Sequence, residues 1–517
     1  MTLVTAATLP AFDVWLAKKR PLGIALSAAG TVLGVADVKT AWTADIADEF
    51  LIRAVASKIQ DRQRRAWSMA PEVVHTLARV TEYDLEDFSW INDVAVALHS
   101  AHPGVPLPPM VAGAGPRARQ AASLMKALAP EVPAVAHPMM NLTVALDQAF
   151  RESQRRGIRV DVDGLREARD LNRSVTAVAA AEDGIDLSVV GTEAQAEAVT
   201  GWLSKRGITI RDFDGRPSLS RDFFDRAEIP DSSEGRYFWG RFRAAASRRS
   251  ARLSLDQISN NLHDDGHVFP VVHLRGAKTG RGSVTAPALT SLSKKYRNLI
   301  IPEDGTAFIS LDFDRAEPTV AAALSQDEGL REALATSDIY RELATRVFGE
   351  QAREDDVARA TCKTIFLGVL YGRGAQGLSL QLGISKAEAA ETIRSIWDSF
   401  PALKAYCEGL KAASIAGGEL RTPWGRLLPV PNKGPYQTPN LMIQASAADV
   451  FYVGLKNVVE LLGADRLTLP IHDEILIQSS QDEVFRSSVL LEEAMTVPFL
   501  NTVITGQAKQ RGGAWGR

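Results

Sequence analysis

Four stretches carry charged side chains at spacings that could do phosphoryl chemistry. In Ile309-Ser-Leu-Asp312-Phe313-Asp-Arg-Ala-Glu317-Pro318 an apolar run ends in a carboxylate, and Pro318 suits the first turn of a helix. A carboxylate at a strand end, with a backbone carbonyl beside it, is a natural ligand for a hard cation such as Mg²⁺. Taken alone, the plainer reading is that Asp314 or Glu317 caps the helix. In Leu469-Pro-Ile-His472-Asp473-Glu474-Ile-Leu-Ile three polar residues interrupt apolar alternation, as at the tip of a β-hairpin. Most polar turns are only turns. This one has neither Gly nor Asn, and an acidic pair between Ile471 and Ile475 is costly unless exposed or paired with cations.

Arg359, Lys363, Leu367 and Tyr371 are spaced by four and form one slowly winding stripe on a helix. Two cations followed by an apolar and an aromatic residue could hold a triphosphate at one end and a base at the other. The plainer alternative is an amphipathic helix with a solvated basic turn. Lys278-Thr279-Gly-Arg281-Gly-Ser, followed by Lys294, Lys295 and Arg297, suits close approach to phosphates, although alone it reads as a flexible basic loop. Neither 276–302 nor 357–387 contains Asp or Glu. Together the four stretches meet the needs of phosphoryl transfer. Two carboxylates on separate strands can hold two metal ions ~3.5–4 Å apart, cations neutralise a triphosphate, and a basic track holds a polyanion.

Such residues need elements to hold them. Runs of β type at 268–274, 307–312, 467–472 and 474–477 alternate with helical stretches at 319–346, 355–371, 385–414 and 440–462. This predicts an α+β core carrying a helical subdomain. Upstream, 140–157 reads as an amphipathic helix. Residues 160–262 are mostly helical and end in Arg236, Arg241, Arg243, Arg248, Arg249 and Arg252, which form either a solvated face or a contact to a phosphate backbone. Nearer the start, 22–26 and 32–36 read as strands, 44–64 as helical and 103–116 as a Pro/Gly-rich boundary.

The 517 residues suggest three to four domains at ~150 residues each. A hydrophobic content of 45% with 23% charged residues excludes a disordered or fibrous chain. The net charge of -3 excludes a small, uniformly basic nucleic-acid module, but not a large enzyme with a local basic cleft. Two cysteines exclude a disulfide framework and a Cys-rich zinc site. There is no HExxH or Walker A pattern. No apolar run approaches the ~20 residues of a membrane span, and no signal peptide is read, so a cytoplasmic location is expected.

The motifs resemble those of the family A DNA polymerases, the bacterial DNA polymerase I type, over about residues 140–517. Asp312-Phe-Asp-Arg-Ala-Glu317 looks like motif A, Arg359-xxx-Lys363-xxxxxxx-Tyr371-Gly372 like motif B, and His472-Asp473-Glu474 like motif C. Thr279-Gly-Arg281 looks like the T-G-R that precedes motif A, and Asn440-xxx-Gln444-Ala-Ser-Ala-Ala-Asp449 like the N-xxx-Q-G-T-A-A-D helix. The resemblance implies a multidomain right hand of palm, thumb and fingers. Expected boundaries are 140–262 for a palm entry helix and thumb, 263–335 and 416–517 for the palm, and 336–415 for the fingers.

It further implies that Asp312, Asp473 and the backbone carbonyl of Phe313 hold two Mg²⁺ ions, with Mn²⁺ as an alternative, and that Glu474 assists. Lys363 and Arg359 would contact the triphosphate, Glu317 would exclude a ribose 2′-OH, and Tyr340, Leu367 and Tyr371 would complete the nucleotide site. Thr279, Arg281, Arg297, Asn440, Gln444 and His472 would touch DNA at the minor groove or primer end. The expected partners are primer-template DNA and dNTPs, with a monomeric, membrane-free enzyme. Several positions depart from the family pattern. Leu367 replaces an aromatic ring, unless Phe366 compensates, Tyr340 replaces His in Asp338-Ile-Tyr, Pro318 replaces Leu, and Ala445 replaces Gly.

Residues 1–139 are expected to be a reduced, ribonuclease H-like (exonuclease-like) α/β domain. Proofreading by two metals needs an early Asp-x-Glu and two later aspartates. Phe12-Asp13-Val14-Trp15 has no Glu, Asp84-Leu-Glu86 falls too late, and 103–130 has no acidic residue, so 3′–5′ exonuclease activity is not expected. The alternatives are a single-subunit RNA polymerase-like enzyme and a non-catalytic primer-template-binding protein.

Overall fold

The computed structural model describes residues 232–516 apart from Ser337, Gly383 and 430–433, together with 137–183, 201–210 and short segments elsewhere. Its centre is the strand Thr306–Phe313, whose β-branched and aromatic residues suit a strand paired on both edges. Glu474–Ser480 pairs antiparallel on one side and Gly506–Gly512 on the other, and Leu467–Ile471 completes a four-stranded sheet. Only Asp312, near the end of the central strand, is exposed.

The helix Thr438–Leu462 is buried along most of its length. It packs against His137–Arg156, Ala316–Ser325, Pro401–Ile415 and Val484–Ala494. Its run of small residues, Ala445, Ser446, Ala447 and Ala448, lets these neighbours approach closely.

The expected strands at 307–312, 467–472 and 474–477 are present. The expected strand at 268–274 is two: His267–Val268 joins Ile158–Val160, and Val271–His273 pairs with Ser283–Thr285. Pro270 lies between them and has no N–H to give a ladder. The 273–283 connection of the second pair carries Thr279 and Arg281.

The expected helix at 319–346 is three: Ala316–Ser325, Glu328–Ala335 and Ile339–Phe348. Polar caps make the breaks. Buried Asp327 accepts from Leu330 N through Oδ1 at 2.9 Å, and from Ala402 N and Leu403 N through Oδ2 at 2.9 and 3.0 Å. One carboxylate thus satisfies the starts of two helices. The stretch at 385–414 breaks at Phe400, where Pro401 opens Pro401–Ile415. The expected helices at 355–371 and 440–462 are Asp356–Leu370 and Thr438–Leu462.

Upstream, Val162–Asp183 packs along Ser233–Asn260, where Arg169 binds Asp256 at 3.0 Å and Ser259 at 2.7 Å. The N-terminal third holds a six-stranded mixed sheet in the order Thr2–Leu3, Ala41–Asp45, Val32–Ala36, Leu22–Leu26, Ala66–Ser68, Ile91–Asp93. The strands at 22–26 and 32–36 fall where expected. The stretch at 44–64 does not begin as a helix: it starts in the strand Ala41–Asp45, whose Trp42 packs on Phe12 and Trp15. Asp84, Glu86 and most of 103–130 lie outside the described residues. Among the described residues no helix is long and apolar enough to cross a membrane.

Candidate active site

The carboxylates meet where the central strands end. The register sets Asp312 opposite Glu474, and Phe313 N donates to the Asp473 carbonyl at 3.3 Å. The hairpin between Leu467–Ile471 and Glu474–Ser480 has a two-residue loop, His472 and Asp473. His472 takes a φ of +59°, the left-handed conformation such a loop needs and usually gives to Gly or Asn. A histidine there costs on the order of 1 kcal/mol, strain of a kind concentrated at working sites.

Asp312 opens to solvent, yet the protein around it pushes its carboxyl up to about 6. The next causes are the negative charges of Asp473 and Glu474; Lys509 pulls the other way and Asp314 adds to the rise. Acids that repel one another in this way fit a hard divalent cation, which takes carboxylate oxygens and removes the repulsion. Among the described residues no three His, Cys, Asp or Glu side chains form a ready-made cage. Glu474 is instead turned to cations: it is buried, its Oε2 accepts from Arg297 Nη1 at 3.1 Å, and its Oε1 lies 3.9 Å from Arg511 Nη2. Arg297 lies 4.1 Å above the ring of buried Trp515, whose backbone amide donates to Ile300 O at 3.0 Å.

Beside the carboxylates, Glu317 accepts from Arg281 Nη2 and from the Tyr371 hydroxyl, each at 2.5 Å. Burial, and then the charge of Glu317, push the Tyr371 phenol well above its usual range, so it stays a donor. Gly372 follows at φ +76°, and a Cβ there would come within 2.8 Å of Tyr436 O. That close approach links the Tyr371 turn to the start of the helix bearing Asn440 and Gln444. These two share a half-buried face, one turn apart, and Asn440 Oδ1 is buried with no hydrogen-bond partner. His472 lies within reach of the charges of Arg281 and Arg297. The surrounding protein, with the positive charges of Arg281 and Arg297, holds its imidazole below the usual range against Asp473 and Glu474.

A third group lies on the helical insertion. Arg359 Nε donates to Asp338 Oδ2 at 2.5 Å, while Asp338 Oδ1 caps the helix through Tyr340 N at 2.9 Å and Arg341 N at 3.3 Å. The buried Tyr340 ring lies 5.9 Å from the Arg359 guanidinium and 5.5 Å from the Lys363 ammonium. Its hydroxyl is pushed up to about 12 by burial, then by Glu317 and Asp338. Lys363 is exposed and Leu367 half-buried. Phe366 does not stand in for a ring at Leu367, because it is turned into the core against Phe400, with ring centres 6.0 Å apart.

Neither Asp314 nor Glu317 caps the helix Ala316–Ser325, which has no side-chain cap. Arg315 precedes it at φ +53° and donates to Leu334 O and Thr336 O, both at 3.1 Å, while Asp314 N donates to Thr505 O. Sequence reasoning missed Lys509, Arg511 and Trp515, whose strand and tail alternate too weakly to announce themselves. It also missed the role of Asp338 as the partner of Arg359.

A carboxylate-bearing sheet facing a cationic helical insertion is the frame of a polymerase hand, and the comparisons agree. The polymerase domain of Pol1 from M. smegmatis, solved in complex with DNA primer-template and dNTP, has the same fold. The TM-score is 0.74 at 21% identity, over 100% of this chain and 99% of that one. The sequence profile of DNA polymerase family A matches residues 241–516, and the chain belongs to that family. Its relatives include the DNA polymerase of Mycobacterium phage D29, 28% identical over 69% of this chain and 59% of that protein. The thermostable DNA polymerase I of Thermus filiformis is 31% identical over 47% of this chain and 32% of its own length. The chain therefore spans between about a third and three fifths of these relatives.

Proposed function

We propose that this chain is a DNA-templated DNA polymerase that extends a primer 3′-OH with dNTPs by two-metal phosphoryl transfer, without 3′–5′ proofreading. The observation that carries the reading is the meeting of Asp312 and Asp473 at one end of the sheet, with the Asp312 carboxyl pushed up by burial and then by its acidic neighbours. Asp312 and Asp473, with the Phe313 carbonyl, would hold the ions. A pair of Mg²⁺ or Mn²⁺ ions at such a site supplies a more acidic attacking hydroxyl and neutralised charge on the leaving pyrophosphate.

The chain's own residues do the rest. Lys363 and Arg359 receive the triphosphate, which displaces Asp338 as the partner of Arg359. Glu317, held from two sides, blocks the space a ribose 2′-OH would need. Tyr371 and Leu367 flank the new base pair. Arg281, Thr279, Asn440, Gln444 and neutral His472 face the primer-template, and Arg297 holds Glu474. Element breaks at Ala335 and Ile415 support the division into palm at 263–335 and 416–517 and fingers at 336–415, with the thumb within 140–262. For residues 1–139 the mixed sheet supports an α/β unit, which we read as a reduced exonuclease-like domain.

Primer extension with Mg²⁺ on matched and mismatched 3′ ends tests the whole reading. Growth with dNTPs far exceeding growth with rNTPs, and persistence of the mismatched end, are expected. Template-directed growth with rNTPs alone would favour the RNA polymerase alternative. Metal-dependent loss of the mismatched end would overturn the absence of proofreading.

A further inference from the structure

Beneath the turn that carries Thr279 and Arg281 lies a cluster of buried charge, built on Asp449 at the end of the Asn440–Asp449 motif and on Arg275 and Arg426, which belong to no motif. Asp449 Oδ1 accepts from Arg426 Nε at 2.8 Å and from Arg275 Nη1 at 3.0 Å, and all three side chains are sealed from solvent. Two guanidinium groups face one carboxylate. Asp449 Oδ2, Arg275 Nη2 and Arg426 Nη1 have no hydrogen-bond partner. Burying ions costs several kcal/mol each before their attraction offsets it, so a merely space-filling core would use apolar side chains here.

The cluster grips backbone. Arg426 Nη2 donates to Thr279 O at 3.2 Å and to Ala445 O at 2.7 Å. The Tyr452 hydroxyl accepts from Arg275 N at 2.9 Å and donates to Gly280 O at 3.0 Å, while its ring lies 4.6 Å from the Arg275 guanidinium. Gly280 sits at φ +83°, and a Cβ there would come within 2.7 Å of Arg426 Nη1. Three backbone groups, Arg275 N, Thr279 O and Gly280 O, are therefore held just before Arg281, whose guanidinium projects to Glu317. Tyr452 and Asp449 stand on the helix that carries Asn440 and Gln444. The clamp thus ties the Arg281 turn to that helix.

We propose that Tyr452 and Asp449 are positioning residues for Arg281, setting its guanidinium against the primer-template from beneath the turn. This rests on the polymerase reading given above. Tyr452 is the cleaner handle, because Tyr452→Phe removes one hydroxyl and leaves the ion cluster intact. Gly280→Ala reaches the same turn by a second route, pressing a methyl group into Arg426.

The test is a double-mutant cycle in single-nucleotide incorporation by the full chain, with Tyr452→Phe, Arg281→Ala and the pair. Tyr452→Phe should lower kcat/KM about fivefold to tenfold, on the order of one of the two buried hydrogen bonds its hydroxyl makes. In the Arg281→Ala background the same change should cost less than about twofold, because nothing is left to position. Gly280→Ala should show the same pattern, and it decides the matter if Tyr452→Phe does not fold. Equal losses in both backgrounds, or no loss in either, would overturn the proposal while leaving the polymerase reading intact. An inactive wild-type chain would overturn both.

Discussion

Asp312→Asn should make the metal-free protein more stable while removing its activity. Burial first, and then Asp473 and Glu474, hold the folded-state carboxyl at about 6, against an ordinary value of 3.8. The folded pKa is the higher one. The group therefore favours the folded state fully below the unfolded pKa, and that contribution is lost as pH rises through about 6. The rise from 3.8 to about 6 corresponds to ~3 kcal/mol at full strength. Asp312 is open to water, which screens the repulsion, so about 1 kcal/mol is expected at alkaline pH. For a chain of this size that is a rise in Tm of about 1–2 °C.

Thermal unfolding in EDTA at about pH 8 and about pH 4, wild type against Asp312→Asn, reads it directly, with the difference vanishing at the acid end. Mg²⁺ at roughly ten times its dissociation constant should then raise the wild type by about 1.4 kcal/mol and leave the variant nearly unmoved. A variant no more stable than wild type at the higher pH, or an offset that ignores pH, would refute the reasoning.

Three further outcomes follow from the same geometry. Arg297→Met should destabilise the fold by about 3 kcal/mol by stranding buried Glu474, and adding Glu474→Gln should restore most of the loss in urea unfolding; an additive second loss would contradict the pairing. Burial pushes the Cys362 thiol up to about 12 and that of Cys407 to about 11, so neither should react with a thiol reagent until the protein is unfolded. A rapidly titrating thiol in the native protein would show that the packing around one of them is wrong. Glu317→Ala should raise rNTP incorporation relative to dNTP by about 10- to 100-fold, at 1.36 kcal/mol per tenfold, and an unchanged ratio would remove Glu317 from sugar selection.

The site was legible wherever its chemistry is local in the chain. Asp312 at a strand end, the His472–Glu474 hairpin and the four-residue stripe from Arg359 to Tyr371 each stand out as a pattern and point to chemistry only together, and the strands and helices fall close to where periodicity sets them. Helix breaks were harder. The stretch from 319 to 346 has continuous helical periodicity, and its interruptions depend on Asp327 and Asp338 finding amide partners, one of them far along the chain. The edge strand Gly506–Gly512 is polar and half exposed, so it lacks the alternation that marks a buried strand. The Arg275–Asp449–Arg426 cluster was invisible for another reason. Its members lie far apart in sequence; Asp449 stands in a motif, but Arg275 and Arg426 belong to none, and nothing local pairs them with it.

The central claim is that Asp312 and Asp473 together hold the ions for nucleotide transfer at this sheet. Its most direct test is single-turnover addition of one dNTP to a primer-template with Mg²⁺, comparing wild type, Asp312→Ala and Asp473→Ala after each is shown to bind the same DNA. The account predicts rapid, template-matched addition by the wild type and a loss of at least about 10³-fold in each variant, roughly 4 kcal/mol of transition-state stabilisation. Addition by either variant at close to the wild-type rate would contradict it.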